Sequence, residues 1–204
     1  MPREWARYRA FDYGLDMFAV LWFATDARGY SYCYREFRQK DLNIPQAQDK
    51  FRRENKENVK KVYAPPDMWN RRQDTGRSMA EMFASCGTPL IKASNDRIAG
   101  WAAVKEYIEI PVNDAGEKEQ PMLQFFDTCG GIIEDMPLLQ SDPKKPNDVS
   151  TQPHEHTHSP DALRYWCSER HMKSRLTEKK KPDPFNLNRK PKRVVNDYLM
   201  KGYN

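Results

Sequence analysis

Cysteine is scarce and scattered: Cys33, Cys86, Cys129 and Cys167 stand far apart in 204 residues, with no Cys-x-x-Cys pair. Reduced thiols in a reducing compartment are therefore expected rather than a disulfide framework. No apolar run reaches the length of a membrane span, and the amino terminus has no apolar signal core, so a soluble, intracellular chain is expected. No Gly-x-x-x-x-Gly-Lys-Ser/Thr occurs, so ATP hydrolysis is not expected from these residues. No internal repeat is present. Neither sign of charge dominates; the net charge of +5 permits a polyanionic partner without requiring one. What is there suits one domain with a real core: 38% hydrophobic and 12% aromatic residues, against 31% charged residues and 15 prolines that imply polar loops or tails.

Along the chain, residues 9–13 read as a first strand ending at Gly14. Residues 18–24 (FAVLWFA) form a nearly continuous apolar run, as in a strand buried on both faces. After the turn at Asp26-Ala27-Arg28-Gly29, residues 30–37 alternate aromatic and polar residues like a third strand. These three predict an antiparallel meander. Residues 44–58 predict an exposed helix and 59–63 a short strand stopped by Ala64-Pro65-Pro66, which delivers Asp67 directly after a strand end. A helix over 78–86 stopped by Gly87, a strand over 90–93, and a helix capped by Asn95 or Asp96 follow. That last helix has Ile98, Trp101, Ala102 and Ile108 at helical spacing. Residues 122–126 predict a strand, 132–136 a short helix, and 141–159 a polar loop. Ser159-Pro160-Asp161 then opens a helix, Ser159 as cap, Pro160 at the first helical position and Asp161 at the positive end of the dipole. Residues 1–172 are expected to be one domain. Residues 173–204, basic and proline-punctuated, are expected to be a flexible tail with a short helix over 194–200.

The order predicts an α/β fold, a mixed sheet with flanking helices of the ribonuclease H-like kind. Three acids fall at element ends in this scheme. Asp12 sits between two aromatics in a strand core, where an acid is costly unless paired. Asp67 follows the fourth strand and Asp161 opens the late helix. The fold sets the first and fourth strands side by side with that helix across their ends. Carboxylates from three elements make an oxygen cage suited to hard divalent cations, with open positions for phosphate and water.

The elements Arg9-Ala10-Phe11-Asp12-Tyr13-Gly14, Tyr63-Ala64-Pro65-Pro66-Asp67 and His158-Ser159-Pro160-Asp161-Ala162-Leu163-Arg164-Tyr165 resemble the nuclease domain of tailed-bacteriophage large terminase subunits. The resemblance covers roughly residues 5 to 170, and the His-x-x-Asp-Ala-Leu-Arg-Tyr element is its most specific part. It implies a metal-dependent endonuclease that cuts concatemeric double-stranded phage DNA, with Asp12, Asp67 and Asp161 as metal ligands for Mg2+ or Mn2+, two ions in all. It implies His158 as a further catalytic-site residue, touching a metal, the scissile phosphate or the Asp161 carboxylate. It also implies the terminase ATPase domain, the small terminase subunit and the portal as partners, no membrane, and a place in the cytoplasm of the infected bacterial host. The family's packaging motor carries a phosphate loop that this chain lacks, so the nuclease part alone, excised or naturally separate, is expected.

Other residues have plainer readings beside functional ones. His154, His156 and His158 alternate and invite a zinc cluster, but a solvent-exposed loop accounts for them better. Asp148 lies where family members often carry an additional acid, and a loop acid beside lysines is the favoured reading. Asp16 lines the same cleft or serves its turn, and Asp127 is read as a strand-end residue. Arg71, Arg72 and Arg77, with Trp69, follow Asp67 and would flank a DNA backbone, or form a charged face. Lys179, Lys180 and Lys181 would contact DNA non-specifically or stay solvated. Two rival functions stand: another ribonuclease H-like nuclease, such as a junction resolvase or an RNA–DNA hybrid nuclease, and a non-catalytic nucleic-acid-binding assembly module.

Overall fold

The computed structural model describes residues 1–14, 16–53 and 57–177, the last seven by backbone alone. Lys179, Lys180, Lys181 and the helix expected over 194–200 lie outside the described residues. The meander is present: β1 (Ala6–Tyr13) pairs antiparallel with β2 (Phe18–Thr25), and β2 with β3 (Ser31–Gln39). Beyond it, β4 (Lys61–Ala64) lies parallel to β1, β5 (Ile91–Lys92) parallel to β4, and β6 (Leu123–Phe125) parallel to β3. The order across the six-stranded sheet is β5-β4-β1-β2-β3-β6. This is the ribonuclease H-like mixed sheet expected from the sequence.

The two-residue period of β2 builds both layers. Phe18, Val20 and Trp22 face a cluster completed by Phe11 of β1, by Ala47 and Phe51 of α1 (Ile44–Arg53), and by Ala80 and Phe83 of α2 (Met79–Ser85). Leu21 and Phe23 face the other way, toward α3 (Arg97–Ile108), α4 (Gly130–Asp135) and α5 (His158–Thr177). Trp166 of α5 stacks on Phe23 with ring centroids 4.3 Å apart, which seats α5 across the middle of the sheet. Ser78 caps α2 in a reciprocal capping box with Glu81, and Asp96 rather than Asn95 caps α3.

Four expectations need correction. Helix α1 is described to Arg53, and residues 57–60 are not helical. In α3 Gly100, Ala103 and Val104 are buried and the expected Trp101 and Ile108 pack half-buried on the core, whereas Ile98 is 51% exposed and Ala102 is exposed. A Cβ on Gly100 would come within 2.7 Å of Arg164 Cγ and 2.9 Å of Ser168 Oγ, so α3 approaches α5 closely at this position. The loop expected over 141–159 contains a hairpin, β7 (Ser141–Asp142) with β8 (Lys145–Val149). Asp142 Oδ1 accepts the backbone N–H of Lys144 at 2.7 Å and of Lys145 at 3.3 Å, closing a turn that polar composition conceals. Finally, Ser159 does not cap α5: the Asp161 N–H donates to Thr157 O at 2.8 Å, so Ser159 lies inside the first turn. Helix α5 is described from His158 to Thr177.

Candidate functional site

The parallel pairing of β1 with β4, in register Ala10 to Tyr63, brings out Asp12 and Asp67 at neighbouring carboxyl ends. Asp67 sits on a single 3-10 turn, Pro66–Trp69, forced by the two prolines after β4. Asp161 enters from the first turn of α5, on the face that packs against β1. Burial raises the pKa of Asp12; the hydrogen bond from His158 opposes this, and the charges of Asp161 and Asp67 push it further up. The same three carboxylates act together on the Tyr165 phenol, whose pKa burial raises first. Asp12, Asp67 and Asp161 thus lie within electrostatic reach of one another.

His158 is the hub of this cluster. Only 2% exposed, its Nδ1 lies 2.8 Å from Asp12 Oδ2 and its Nε2 3.0 Å from Asp16 Oδ2. Burial lowers its pKa, but the hydrogen bonds and charges of Asp12 and Asp16 outweigh burial and raise it overall. Gly14 makes room for this packing: a Cβ there would collide with Asp16 Oδ1 and reach 2.9 Å from His158 Cε1. The first turn of α5 is fixed to β3 by Ser159, whose hydroxyl donates to Glu36 Oε1 at 2.6 Å.

Two arginines complete the arrangement: Arg164, which belongs to the His158–Tyr165 element but had no role assigned from the sequence, and Arg97, which the sequence did not mark. Arg164 Nε donates to Asp161 Oδ1 at 2.8 Å, with its side chain 1% exposed. Arg97 Nη1 donates to the same oxygen at 3.2 Å, while its Nε donates to Asp148 at 3.0 and 3.2 Å and its Nη2 to Val149 O at 3.0 Å. Asp148 is therefore a buried acid held by Arg97, not a solvated loop residue. The signal for Arg164 was its position three residues after Asp161 amid apolar neighbours. Arg97 carried no local signal, because its acidic partners lie 51 and 64 residues away.

The remaining candidates divide. Arg71, Arg72 and Arg77 are exposed on the turn following Asp67; Arg72 is paired with Asp74 at 2.8 Å, and its charge reaches Tyr13 at the end of β1. Asp127 is exposed after β6, at the far edge of the sheet from β4. The three histidines part company: His156 Nδ1 bonds Asp135 at 2.8 Å, whereas His154 Nδ1 turns to Asp16 at 2.6 Å. Clustered carboxylates whose mutual charge disfavours ionisation of Asp12 fit the donor chemistry of a hard divalent cation, which that charge would attract.

No protein-family model matches the chain, and comparison with curated proteins finds no match. Among solved structures it is similar to the g2p (large terminase) nuclease domain of bacteriophage SPP1, a crystal structure with bound Mn. The TM-score is 0.55 at 15% identity, over 82% of this chain and 87% of that one. The chain has the fold of a terminase nuclease domain.

Proposed function

We propose that this chain is the nuclease domain of a tailed-phage large terminase, cutting concatemeric double-stranded DNA with divalent cations held by Asp12, Asp67 and Asp161. The observation that carries the reading is the convergence of these carboxylates from three elements at the carboxyl ends of β1 and β4, on a fold shared with a manganese-bound nuclease domain. Two ions, Mg2+ or Mn2+, would activate a water and stabilise the leaving oxygen at the scissile phosphate.

The chain's own residues supply the rest. His158, donating from Nδ1, holds the Asp12 carboxylate in place, and Arg164 and Arg97 fix that of Asp161. Trp69, Arg71, Arg72 and Arg77 border the cleft beside Asp67 and meet the DNA backbone without reading its sequence. Working partners on this reading are the terminase ATPase domain, the small subunit and the portal, in the cytoplasm of an infected bacterium. Plasmid cleavage supported by magnesium or manganese and abolished by chelator is the expected result. Cleavage only of RNA–DNA hybrids or of junctions would replace the terminase reading with another ribonuclease H-like activity. DNA binding with no cleavage under any divalent ion would leave a binding module.

A further inference from the structure

Beside the carboxylate cleft, two stretches distant in sequence bring three donors to one point: Asp16 from the β1–β2 turn, and His154 and His158 from a short 3-10 turn and the start of α5 that follows it. One ligand atom from each lies within 4.8 Å of the others. Asp16 Oδ2 stands 2.6 Å from His154 Nδ1 and 3.0 Å from His158 Nε2, and the two imidazole rings meet nearly edge to face at 83°. We propose that Asp16, His154 and His158 form a second metal site, selective for an imidazole-seeking ion of the zinc class and distinct from the all-oxygen cleft of Asp12, Asp67 and Asp161.

Donor chemistry supports that selectivity. Two imidazoles and one carboxylate suit zinc, cobalt or nickel, and leave a position open, whereas magnesium prefers oxygen alone. Metal-bound histidines commonly donate their second ring nitrogen to a carboxylate, which fixes tautomer and orientation. His158 has that partner already, in Asp12 through Nδ1. Asp16 and His154 are 52% and 53% exposed, so the open position faces solvent. Bonds of about 2.0–2.2 Å around a tetrahedral ion set ligand atoms roughly 3.3–3.5 Å apart. To admit it, Asp16 needs to part from the two rings by less than about 1 Å, and the two ring nitrogens, no more than 4.8 Å apart, to close by up to about 1.5 Å. The ion would share His158 with the cleft, holding the imidazole from one side while Asp12 holds it from the other.

The inference does not rest on the nuclease reading, and cobalt spectroscopy separates the two. Titrating chelator-treated protein with Co2+ should give the visible absorption of low-symmetry, nitrogen-bound cobalt at one equivalent, displaced by zinc and unmoved by excess magnesium. His154→Ala and Asp16→Asn, both at exposed positions, should each weaken cobalt binding by at least about tenfold. Asp161→Asn should leave it unchanged. Absence of the absorption, displacement by magnesium, its persistence in His154→Ala, or its loss in Asp161→Asn would each overturn the site. Cobalt binding as expected in a protein that cuts no DNA would sink the nuclease reading alone.

Discussion

Arg97 is the residue whose removal tests the site's construction most directly. Its guanidinium joins three elements, with Nε on Asp148 at 3.0 Å, Nη1 on Asp161 at 3.2 Å and Nη2 on Val149 O at 3.0 Å. The side chains of Arg97, Asp148 and Asp161 are 25%, 9% and 14% exposed. Arg97→Met keeps the bulk but leaves Asp148 a buried carboxylate without a counter-charge, its Oδ1 still accepting the Val149 N–H at 2.8 Å. Breaking one partner of a fully buried pair costs about 3–5 kcal/mol, and partial exposure of Arg97 screens some of that. A loss of about 2–3 kcal/mol follows, or roughly 4–12 °C in Tm for a domain of this size. Asp148→Asn alone should cost less, because the amide oxygen still accepts a hydrogen bond. If the pair is real, the double variant loses less than the sum of the singles, by about 1–2 kcal/mol. Urea unfolding of the four proteins at neutral pH gives this coupling. Additivity within about 0.3–0.5 kcal/mol would refute the account. Cleavage by Arg97→Met should fall less than by Asp161→Asn, since Arg164 still holds Asp161.

In plasmid assays under manganese, Asp12→Asn and Asp161→Asn should each lower cleavage by at least about a thousandfold with the fold intact, and His158→Ala by less. Unchanged rates in both Asn variants would sink the nuclease proposal. For pH dependence the sign is fixed by Asp12: a carboxyl whose folded pKa is raised above 3.8 opposes folding once ionised. Metal-free Asp12→Asn should therefore be more stable than the parent at pH above the raised pKa, and the difference should vanish as pH falls below the ordinary value near 3.8; a less stable variant at alkaline pH contradicts this. Gly14→Ala, by pushing Asp16 and His158 aside, should lower both stability and cleavage, and wild-type values for both would show that the close approach is not needed. Neutralising Lys179, Lys180 and Lys181 should weaken DNA binding and flatten its salt dependence while metal-dependent cleavage persists, as a binding isotherm at several salt concentrations would reveal.

Much of the fold was legible because it rests on short-range patterns. The unbroken apolar run of β2 announces a strand covered on both faces, and the clusters on either side of it are its alternate residues. The two prolines before Asp67 and the helix-opening residues around Asp161 likewise mark element ends. What stayed hidden depends on pairing across the chain. The β7–β8 hairpin has no apolar alternation: Ser141, Lys145, Pro146 and Asn147 are exposed, Asp142 and Val149 half-buried, and only Asp148 is buried. The buried face of α3 centres on Gly100, which a hydrophobic-period reading passes over because it contributes no apolar bulk. The divergence of His154 and His156 to different acids follows from the turn between them, which no composition encodes.

Arg164 shows why a carboxylate cluster and a stable metal-free fold are compatible here. An arginine almost wholly buried beside Tyr165 and Trp101 would be costly without a counter-charge. Asp161, one turn earlier, supplies it at 2.8 Å. The reverse also holds: three acids drawn together without cations nearby would repel, and the rise in the Asp12 pKa is that repulsion added to burial. Arg164 and Arg97 offset it at Asp161, and His158 offsets it at Asp12. Asp67, exposed on its 3-10 turn, is moderated by water instead. The cleft therefore combines negative charge with fixed geometry, its two least exposed carboxylates being held in place by His158, Arg97 and Arg164.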